Sequence, residues 1–399
     1  MTNRAVVVGA GAAGLAAVDG LRSGGYGGEF LLVGEEIGMP YDRPPLSKQV
    51  LAGTWDVARA NLLSEAEFER LRPNFCDGRR AVALDTRARI VTTDDGRTTE
   101  YTDLVIATGV SPISLGLDGV DGVHTLRTLA DARSLRAALD GCRSLVVVGG
   151  GFLGAEVAAT ARGVGVPVTL LELSANPLAG VLGAHVASRV VDLHIRHGVN
   201  VLAGHAMGGV ITGDDNALAA VELDDTRVID ADLVLVAVGC RPDIGWLVES
   251  GVPLEDGVRC DADGRAAPGI WAVGDVANWR RRDGDGFVRR EHRMIASQQG
   301  RSVGLAIAGA PLPSPQAPFF WTDQYDARIQ VAGELGPDHS LRAVHGDPDD
   351  DSFVLASFDN DIMTGVIGWN AAKVMTGYRR QLNQQLIERV QTGEPAASS

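Results

Sequence analysis

A glycine-rich turn between an apolar strand and a helix lies near the start of the chain, and it restricts the possible folds more than any other feature. An apolar run at residues 5–8 leads into Gly9, Gly11 and Gly14, a helical pattern follows, and a second apolar run ends at Glu35. Strand, glycine turn, helix and strand, with an acid about twenty residues beyond the glycines, are typical of a Rossmann unit. The segment is therefore predicted to bind a dinucleotide.

Each residue of this unit has its own predicted role. Gly9 permits the tight turn, Gly11 lets a pyrophosphate approach the backbone, and Gly14 lets the helix pack closely on the strand. The start of the helix offers unpaired N–H groups and partial positive charge to the phosphates. Glu35 is expected to accept hydrogen bonds from a ribose diol.

The same unit recurs about 140 residues later, counted from Gly14 to Gly154. It consists again of an apolar run, a glycine turn, a helix and a closing strand with an acid: residues 145–148, Gly149, Gly151, Gly154, residues 168–171 and Glu172. Two complete units predict two bound dinucleotides. The Glu172 carboxylate would accept from the 2′-hydroxyl of NADH and repel the 2′-phosphate of NADPH, so NADH is the expected second dinucleotide.

Bulk composition excludes several classes of protein. A length of 399 residues suggests roughly two to three domains, and 45% apolar residues is ordinary for a globular protein. No uninterrupted apolar run approaches the ~20 residues of a membrane-spanning helix. A strand begins too early for a signal peptide, so a cytoplasmic location is predicted. The formal charge of −15 argues against general nucleic-acid binding.

Two rare residue types are informative. The four cysteines form no C-x-x-C pair and lie near no histidine cluster with zinc spacing, so they are predicted to be isolated thiols, and no metal site is predicted. They are Cys76, Cys142, Cys240 and Cys260. Of the 36 basic residues only Lys48 and Lys373 are lysines, which singles out Lys48 for attention.

Three further strands run out to a glycine. Residues 104–109 and 232–239 each end on a glycine and then turn to a proline, and we interpret both as crossings between domains. The third, at residues 269–273, leads to Gly274 and Asp275, whose carboxylate can bind a sugar-like chain of hydroxyls. The alternative is that Asp275 is only a helix N-cap.

The remaining segments complete the prediction of elements. Helical patterns are found around residues 58–71, and short strands are expected near 81–84 and 89–93. A proline-rich stretch at 311–318 is typical of a linker. Beyond it, a small α+β domain is predicted from three strands, one helix and a disordered tail, at residues 329–335, 352–358, 363–369, 371–390 and 392–399.

Five motifs, taken in order, resemble those of the FAD-dependent NAD(P)H:ferredoxin reductases over essentially the whole chain. They are residues 9–14, 43–48 (Arg-Pro-Pro-Leu-Ser-Lys), 149–156, 271–277 and 320–325 (Phe-Trp-Thr-Asp-Gln-Tyr). The second and fifth are the most specific to that group. The resemblance implies an α/β fold with two Rossmann-like dinucleotide-binding domains in a glutathione-reductase-like arrangement, followed by a small α+β C-terminal domain.

The implied NADH-binding domain is inserted into the implied FAD-binding domain and divides it into two segments. FAD would be bound by residues 1–111 and 237–313, NADH by the inserted residues 112–236, and residues 314–399 would form the C-terminal domain. The implied cofactor contacts are Ala13, Glu35, Arg43, Lys48, Ala81, Thr108, Arg127, Gly239, Gly274, Asp275, Glu291, His292 and Arg293, with Trp321 beside the flavin ring. At Arg293 the backbone is expected to make the contact, because relatives often have an apolar residue there.

Two dinucleotides suggest hydride transfer from nicotinamide to flavin, which the protein orients and tunes electrostatically. Glu156, one turn into the second helix, is expected to bind the nicotinamide carboxamide. Lys48 is expected to reach flavin N5 and to pair with Glu156. The alternative is that Lys48 is a surface charge and Glu156 a solvated helix residue.

The arrangement of the cysteines bears on the identity of the electron acceptor. Without a redox pair or a single reactive cysteine near residues 41–48, electrons must pass directly from the flavin to an outside carrier. The resemblance implies a [2Fe–2S] ferredoxin serving a cytochrome P450 or a ring-hydroxylating oxygenase. An NADH:rubredoxin reductase and a non-enzymatic, NADH-switched flavoprotein are the alternatives.

A basic group of side chains is a candidate docking surface for an acidic ferredoxin. Its members are Arg280, Arg281, Arg282, Arg289 and Arg290, with Arg379 and Arg380 on the last helix as further candidates. The alternative is that these arginines are solvated and have no docking role.

Overall fold

The computed structural model describes residues 3–71, 73–214, 216–282, 286–335 and 341–392, without the side chains of 390–392. Nearly all of the predicted disordered tail lies outside these ranges. The fold is mixed α/β, as predicted. Its helices are Ala12–Ser23, Glu65–Leu71, Leu129–Leu139, Phe152–Gly163, Ala179–Leu182, Ala184–Arg196, Arg293–Ile307 and Ala372–Thr392, with 3-10 turns at Pro44–Ser47, Val57–Ala60, Gly245–Leu247 and Gly274–Val276.

The first glycine unit lies at the centre of a six-stranded sheet. In spatial order the strands are Arg265–Ala267, Ile270–Ala272, Asp103–Ile106, Arg4–Val8, Glu29–Val33 and Asn74–Cys76. All neighbouring pairs are parallel except the edge pair Arg265–Ala267 and Ile270–Ala272. Continuous apolar runs suit these central strands, because helices or loops cover both faces of a parallel sheet. Two distant stretches of the chain therefore build one sheet.

The second glycine unit forms a separate parallel sheet of five strands. Their spatial order is Asn200–Ala203, Val168–Glu172, Leu145–Val148, Leu233–Val236 and Val123–His124. In both sheets the strand before the glycine turn lies between the strand with the acid and a strand that runs out to a glycine. The two units thus repeat in space as well as in sequence.

The chain crosses between the two parallel sheets directly after the strands that lead to Gly109 and Gly239. Val110–Pro112 and Cys240–Pro242 pair antiparallel in a two-stranded ribbon. The Asp243 carbonyl accepts a hydrogen bond from the Thr108 hydroxyl at 2.9 Å, and the Asp243 N–H donates to the Gly109 carbonyl at 3.0 Å. These contacts hold the two connections side by side.

An antiparallel five-stranded sheet follows the proline-rich segment. Its spatial order is Phe319–Gln324, Ala327–Gly333, Ile362–Trp369, Phe353–Asp359 and Arg342–His345, and Ala372–Thr392 packs on it. The sequence patterns missed the first and last of these strands. Smaller antiparallel sheets are Met207–Thr212 with Leu218–Leu223 and Val228–Asp230, and Ala81–Asp85 with Ile90–Thr93 and Thr98–Glu100; Val258–Cys260, Ala277–Arg280 and Phe287–Arg289 form a mixed one.

The helical patterns predicted around residues 58–71 form two separate elements. The chain forms the short turn Val57–Ala60 and then a separate helix, Glu65–Leu71. Ser64 ends the interruption, because its N–H and hydroxyl both bond the Glu67 carboxylate while the Glu67 N–H bonds the Ser64 hydroxyl. This capping box starts a new helix.

The helix Arg293–Ile307 was not predicted, and it packs on the first helix, Ala12–Ser23, at close range. A methyl group on Gly300 would lie 2.1 Å from the Ala13 carbonyl oxygen, and one on Gly304 would lie 2.2 Å from the Ala17 carbonyl oxygen. The G-x-x-x-G spacing of these glycines was the available signal. Among the described helices, none is both long and apolar enough to cross a membrane.

Candidate active site

One continuous cleft of about 1440 Å³ joins the two glycine turns. Both sheets and the C-terminal sheet contribute to its wall. The predicted site residues that line it are Gly9, Gly11, Ala13, Glu35, Arg43, Lys48, Ala81, Thr108, Arg127, Gly149, Gly151, Glu156, Glu172, Gly239, Gly274, Asp275, Glu291, His292, Arg293 and Trp321. Gly14 and Gly154 do not line it, in keeping with their predicted packing role.

The geometry of the first glycine turn separates its three glycines. Gly9 has φ +111°, a conformation that few other residues adopt. A methyl group on Gly14 would lie 1.8 Å from the Gly9 carbonyl oxygen, whereas one on Gly11 would meet no protein atom within 4 Å. Gly11 therefore faces open space at the start of a helix, where N–H groups can receive phosphate.

The second turn repeats this geometry. Gly149 has φ +107°, and a methyl group on Gly154 would lie 1.9 Å from the Gly149 carbonyl oxygen. A methyl group on Gly151, the N-cap of Phe152–Gly163, would again meet nothing within 4 Å. Both turns thus leave open, at the same place, the space that a pyrophosphate would fill.

Asp275 and Arg127 form an ion pair in the wall beside the first turn, 3.2 Å apart. Burial raises the pKa of Asp275, whereas the Arg127 guanidinium lowers it. Gly274 has φ +76°, and a side chain there would press on Ala13, because its Cβ would lie 2.8 Å from the Ala13 Cβ. Arg43 donates to the Arg127 carbonyl and so ties the proline-rich loop to this wall.

Three buried nitrogen atoms of the cleft wall have no hydrogen-bond partner among the residues that the structure describes. They are Arg127 Nε, Trp246 Nε1 and His292 Nδ1. An unpaired buried polar atom is costly, and a polar group bound in the cleft would satisfy these three. Together with the space at Gly11, these atoms fit a flavin dinucleotide. Trp246 was not among the predicted contacts, and no sequence motif marked it.

Lys48 and Glu156 lie in the cleft wall between the two turns, with Lys48 Nζ 2.6 Å from Glu156 Oε2. The Ser47 hydroxyl also donates to Oε2 at 2.6 Å, and the Thr322 hydroxyl donates to Oε1 at 2.8 Å. The predicted pairing of the lysine and the glutamate is therefore present. Ser47 and Thr322 were overlooked, although both lie within motifs that had been noted.

Local structure explains how Lys48 reaches this position. Pro44 and Pro45 favour the tight turn Pro44–Ser47, which presents Ser47 and Lys48 toward the helix Phe152–Gly163. Thr160, one helical turn beyond Glu156, donates to the Ser47 carbonyl at 2.8 Å. The helix therefore holds the turn at two successive positions on the same face.

The two predicted ribose-binding acids differ in their surroundings. The Glu35 side chain is 60% exposed, with Arg80 3.9 Å from it. Glu172 Oε2 accepts from the Gly150 N–H at 2.6 Å, and its Oε1 accepts from the Ser174 N–H at 2.8 Å. Glu172 is thereby fixed at the edge of the cleft, and residues 173–177 place no arginine beside it.

Two predicted contacts have side chains that are engaged with other protein groups. The Thr108 hydroxyl donates to the Asp243 carbonyl, and the Arg293 guanidinium bonds Asp42 and Ser297. These bonds occupy the Thr108 hydroxyl proton and two of the three guanidinium nitrogens of Arg293.

Cys240 lies in the cleft, where the sequence patterns did not place it. Its thiol donates to the Glu291 carboxylate at 3.0 Å, and burial raises its pKa to about 12. A thiol with so high a pKa is a poor nucleophile at neutral pH. All four cysteines are unpaired. Among the described residues, the only cysteine that lines the cleft is therefore poorly suited to carrying electrons.

The candidate docking arginines are extensively paired with carboxylates. Arg281 and Arg290 both contact Glu334, Arg282 contacts Asp263, and Arg289 contacts Asp256 and Glu291. Much of their positive charge is neutralised locally, which weakens the electrostatic basis of the steering hypothesis. Arg379 instead lies over the Phe319 ring, 3.6 Å from its centre.

Comparison with known families agrees with this geometry. Residues 3–300 match the model for pyridine nucleotide-disulphide oxidoreductases, and residues 319–397 match the model for the reductase C-terminal domain.

Two similar proteins come from Pseudomonas putida. The ferredoxin–NAD(+) reductase component of a p-cumate 2,3-dioxygenase system is 35% identical over 387 residues, 96% of this chain and 94% of that protein. The ferredoxin–NAD(+) reductase subunit of a benzene 1,2-dioxygenase system is 37% identical over 355 residues, 87% and 85% of the two chains.

Two solved structures share the fold at a TM-score of 0.89. The covalent putidaredoxin reductase–putidaredoxin complex is matched at 30% identity over 97% of this chain and 93% of that chain. The ferredoxin reductase for the CYP199A2 system of Rhodopseudomonas palustris is matched at 29% identity over 94% and 93%.

Proposed function

Because this chain belongs to the pyridine nucleotide-disulphide oxidoreductase family, we propose that it passes electrons from NADH through FAD to a [2Fe–2S] ferredoxin that serves a cytochrome P450 or a ring-hydroxylating oxygenase. The observation that carries the proposal is the single cleft that joins two equivalent glycine turns, with Lys48 and Glu156 between them. Four unpaired cysteines, of which Cys240 lies in the cleft with its pKa raised by burial, favour an outside electron acceptor.

The residues divide into two binding sets. The turn at Gly11, the Asp275–Arg127 pair and the unpaired nitrogens of Trp246 and His292 would hold FAD. The turn at Gly151, with Glu172 and Glu156, would hold NADH. The bound flavin supplies the capacity to take up a hydride and to release its electrons one at a time.

The residues between the two sets would orient the nicotinamide and stabilise charge that develops during the reaction. The Lys48 side chain is only 11% exposed, and its ammonium would stabilise negative charge that develops close to it. Glu156 offers a carboxylate oxygen to the amide N–H of a nicotinamide. Phe320 and Trp321 line the same wall and would exclude water from the reacting groups.

The ferredoxin acceptor is proposed on the strength of the relatives. The p-cumate and benzene dioxygenase components are named as ferredoxin reductases, and the putidaredoxin reductase structure contains its carrier bound to it. A rubredoxin acceptor would require a different iron site in the partner and no change in this cleft. A non-enzymatic, NADH-switched flavoprotein would show a long-lived complex with NADH and poor turnover with every carrier.

The deciding experiment measures NADH oxidation by the purified, FAD-loaded chain against a panel of [2Fe–2S] ferredoxins and rubredoxins, with cytochrome c as the final reporter. Rapid turnover with at least one ferredoxin is expected. Turnover with rubredoxins alone, or with no carrier at all, would overturn the proposed acceptor. Failure to bind FAD would overturn the function as a whole. A cytoplasmic location is part of the proposal, and cell fractionation tests it.

A further inference from the structure

A chain of hydrogen bonds leads from Glu156 into the C-terminal sheet and back to the second dinucleotide unit. The Thr322 hydroxyl donates to Glu156 Oε1 at 2.8 Å, and Gln324 Nε2 donates to the Thr322 oxygen at 3.2 Å. Gln324 Oε1 lies 2.9 Å from His194 Nε2. The chain therefore links the carboxylate in the cleft to the helix Ala184–Arg196.

Each hydrogen bond in this series can run in only one direction from donor to acceptor. An ionised carboxylate only accepts, so the Thr322 hydroxyl must donate to it and must accept from the Gln324 amide N–H. The Gln324 carbonyl then faces His194, whose Nε2 must carry the proton. His194 Nδ1 is left as an acceptor, and the Tyr325 hydroxyl lies 3.4 Å from it.

Burial makes this arrangement costly to disturb. Thr322, Gln324 and His194 are each only 1% exposed. A buried polar group that loses its hydrogen-bond partner strongly destabilises the folded protein. Burial also lowers the pKa of His194, which favours the neutral ring that the chain requires. An amide does not readily relay protons, so the chain is suited to holding groups in place.

The far end of the chain is a strained turn. Tyr325 has φ +54°, a rare conformation for a bulky residue, and such strain persists where the surroundings fix it. Its ring stacks on His197, with 3.7 Å between ring centres. The stacked rings therefore hold the end of the strand Phe319–Gln324 against the second dinucleotide unit.

We infer that Thr322 and Gln324 are positioning residues for the reaction with NADH, through which the C-terminal sheet holds the Glu156 carboxylate correctly oriented. Lys48 and Ser47 both bond Oε2, so Thr322 is what fixes the other oxygen of the carboxylate. This inference rests on the proposed function and assigns the C-terminal sheet a part in the NADH site.

The first test needs no substitution. In ¹⁵N-histidine NMR spectra of the FAD-loaded protein near neutral pH, His194 is expected as the neutral tautomer with its proton on Nε2. A proton on Nδ1, or a charged ring, would overturn the inference, because the directed chain requires the Nε2–H tautomer.

The second test is Thr322→Val, which keeps the shape of the side chain and removes its hydroxyl. At saturating NADH, the rate of flavin reduction is expected to fall roughly tenfold, the value of one hydrogen bond to a charged group. The KM for ferredoxin and the FAD content should not change. Thr322→Ser should restore the rate, since it restores the donor. Gln324→Leu should slow flavin reduction and mix the His194 tautomers.

Tyr378→Phe is the matched control, because it removes a hydroxyl from the same domain, where it bonds the Val344 carbonyl at 3.1 Å, outside the cleft. This variant should reduce its flavin with NADH at the same rate as the parent protein. An active parent chain together with a Thr322→Val variant of unchanged rate would overturn this inference alone. A parent chain that binds FAD and is never reduced by NADH would overturn the proposed function. If Thr322→Val does not fold, the NMR test still decides.

Discussion

Lys48 Nζ lies 2.6 Å from Glu156 Oε2, although 108 positions of sequence separate the two residues. Their side chains are only 11% and 9% exposed. Burying an ion pair costs desolvation free energy that the pairing itself often fails to recover, so such a pair is weak evidence for stability. Its place in the cleft between the glycine turns favours a functional reason for its presence.

Replacing Lys48 with methionine should separate function from stability. Lys48→Met should slow flavin reduction by NADH roughly 100-fold, because a positive charge preorganised in the site is lost. It should also lower the free energy of unfolding by about 3 kcal/mol, because Glu156 stays buried without its cation.

Lys373→Met, at the other lysine of the chain, is the control for this variant. Lys373 is exposed on the last helix, and its loss should change neither quantity. The double variant Lys48→Met/Glu156→Gln should regain stability while remaining slow. Normal flavin reduction in Lys48→Met would contradict the assigned role.

The glycines of each turn should respond differently to one added methyl group. Gly11→Ala should fold normally and lose affinity for FAD, since its Cβ would meet no protein atom and would occupy the space assigned to phosphate. Gly14→Ala should unfold at lower denaturant concentration, because its Cβ would lie 1.8 Å from the Gly9 carbonyl oxygen. Flavin absorbance and urea titration measure the two effects.

The second turn provides the matched comparison. Gly151→Ala should bind FAD normally and lose affinity for NADH, because the same open space occurs there in the other unit. Equal loss of FAD in both alanine variants would show that the two turns are not specialised in this way.

Glu172 should determine the choice between NADH and NADPH. Glu172→Arg should reduce kcat/KM for NADH by roughly tenfold or more and improve relative use of NADPH, because a cation replaces the ribose acceptor. Glu172→Gln is the gentler comparison, since its carbonyl can still accept from Gly150 or Ser174. Unchanged kinetics with both nucleotides in Glu172→Arg would refute this role.

The paired arginines lead us to expect a weak effect of salt on electron transfer to ferredoxin. Arg281, Arg282 and Arg290 already contact carboxylates of the same chain, so little net charge remains there for steering. The measurement is the rate of cytochrome c reduction through added ferredoxin as ionic strength rises. A steep fall would restore the steering hypothesis.

His292 should make the stability of the flavin-free protein depend on pH. Burial lowers the pKa of His292 from 6.5 to about 4, so between these values the unfolded chain binds a proton that the folded chain does not. The free energy of unfolding should therefore fall as the pH drops through this window, by on the order of 2 kcal/mol at pH 5.

His292→Gln isolates that contribution. The variant cannot titrate at this position, so its free energy of unfolding should fall less than that of the parent when the pH drops from 7 to 5. Urea titrations at the two pH values measure it. A difference that does not vary with pH would show that His292 is already accessible to protons in the folded state.

Local sequence determined much of this protein. The spacing of Gly9, Gly11 and Gly14 specifies a turn in which Gly9 adopts φ +111° and Gly14 packs on the Gly9 carbonyl, five positions away. For the same reason the second unit, at Gly149–Gly154, could be predicted. Such features are short-range, since φ angles and steric contacts within a turn depend on immediate neighbours.

Tertiary structure alone decided the remainder. The bond between Thr322 and Glu156 spans 166 positions, and neither residue type nor local pattern specifies it. The neutralisation of the arginines by carboxylates and the burial of Cys240 in the cleft depend equally on how distant segments pack. Packing sets these distances and dielectric surroundings, and the chemistry of a side chain depends on both.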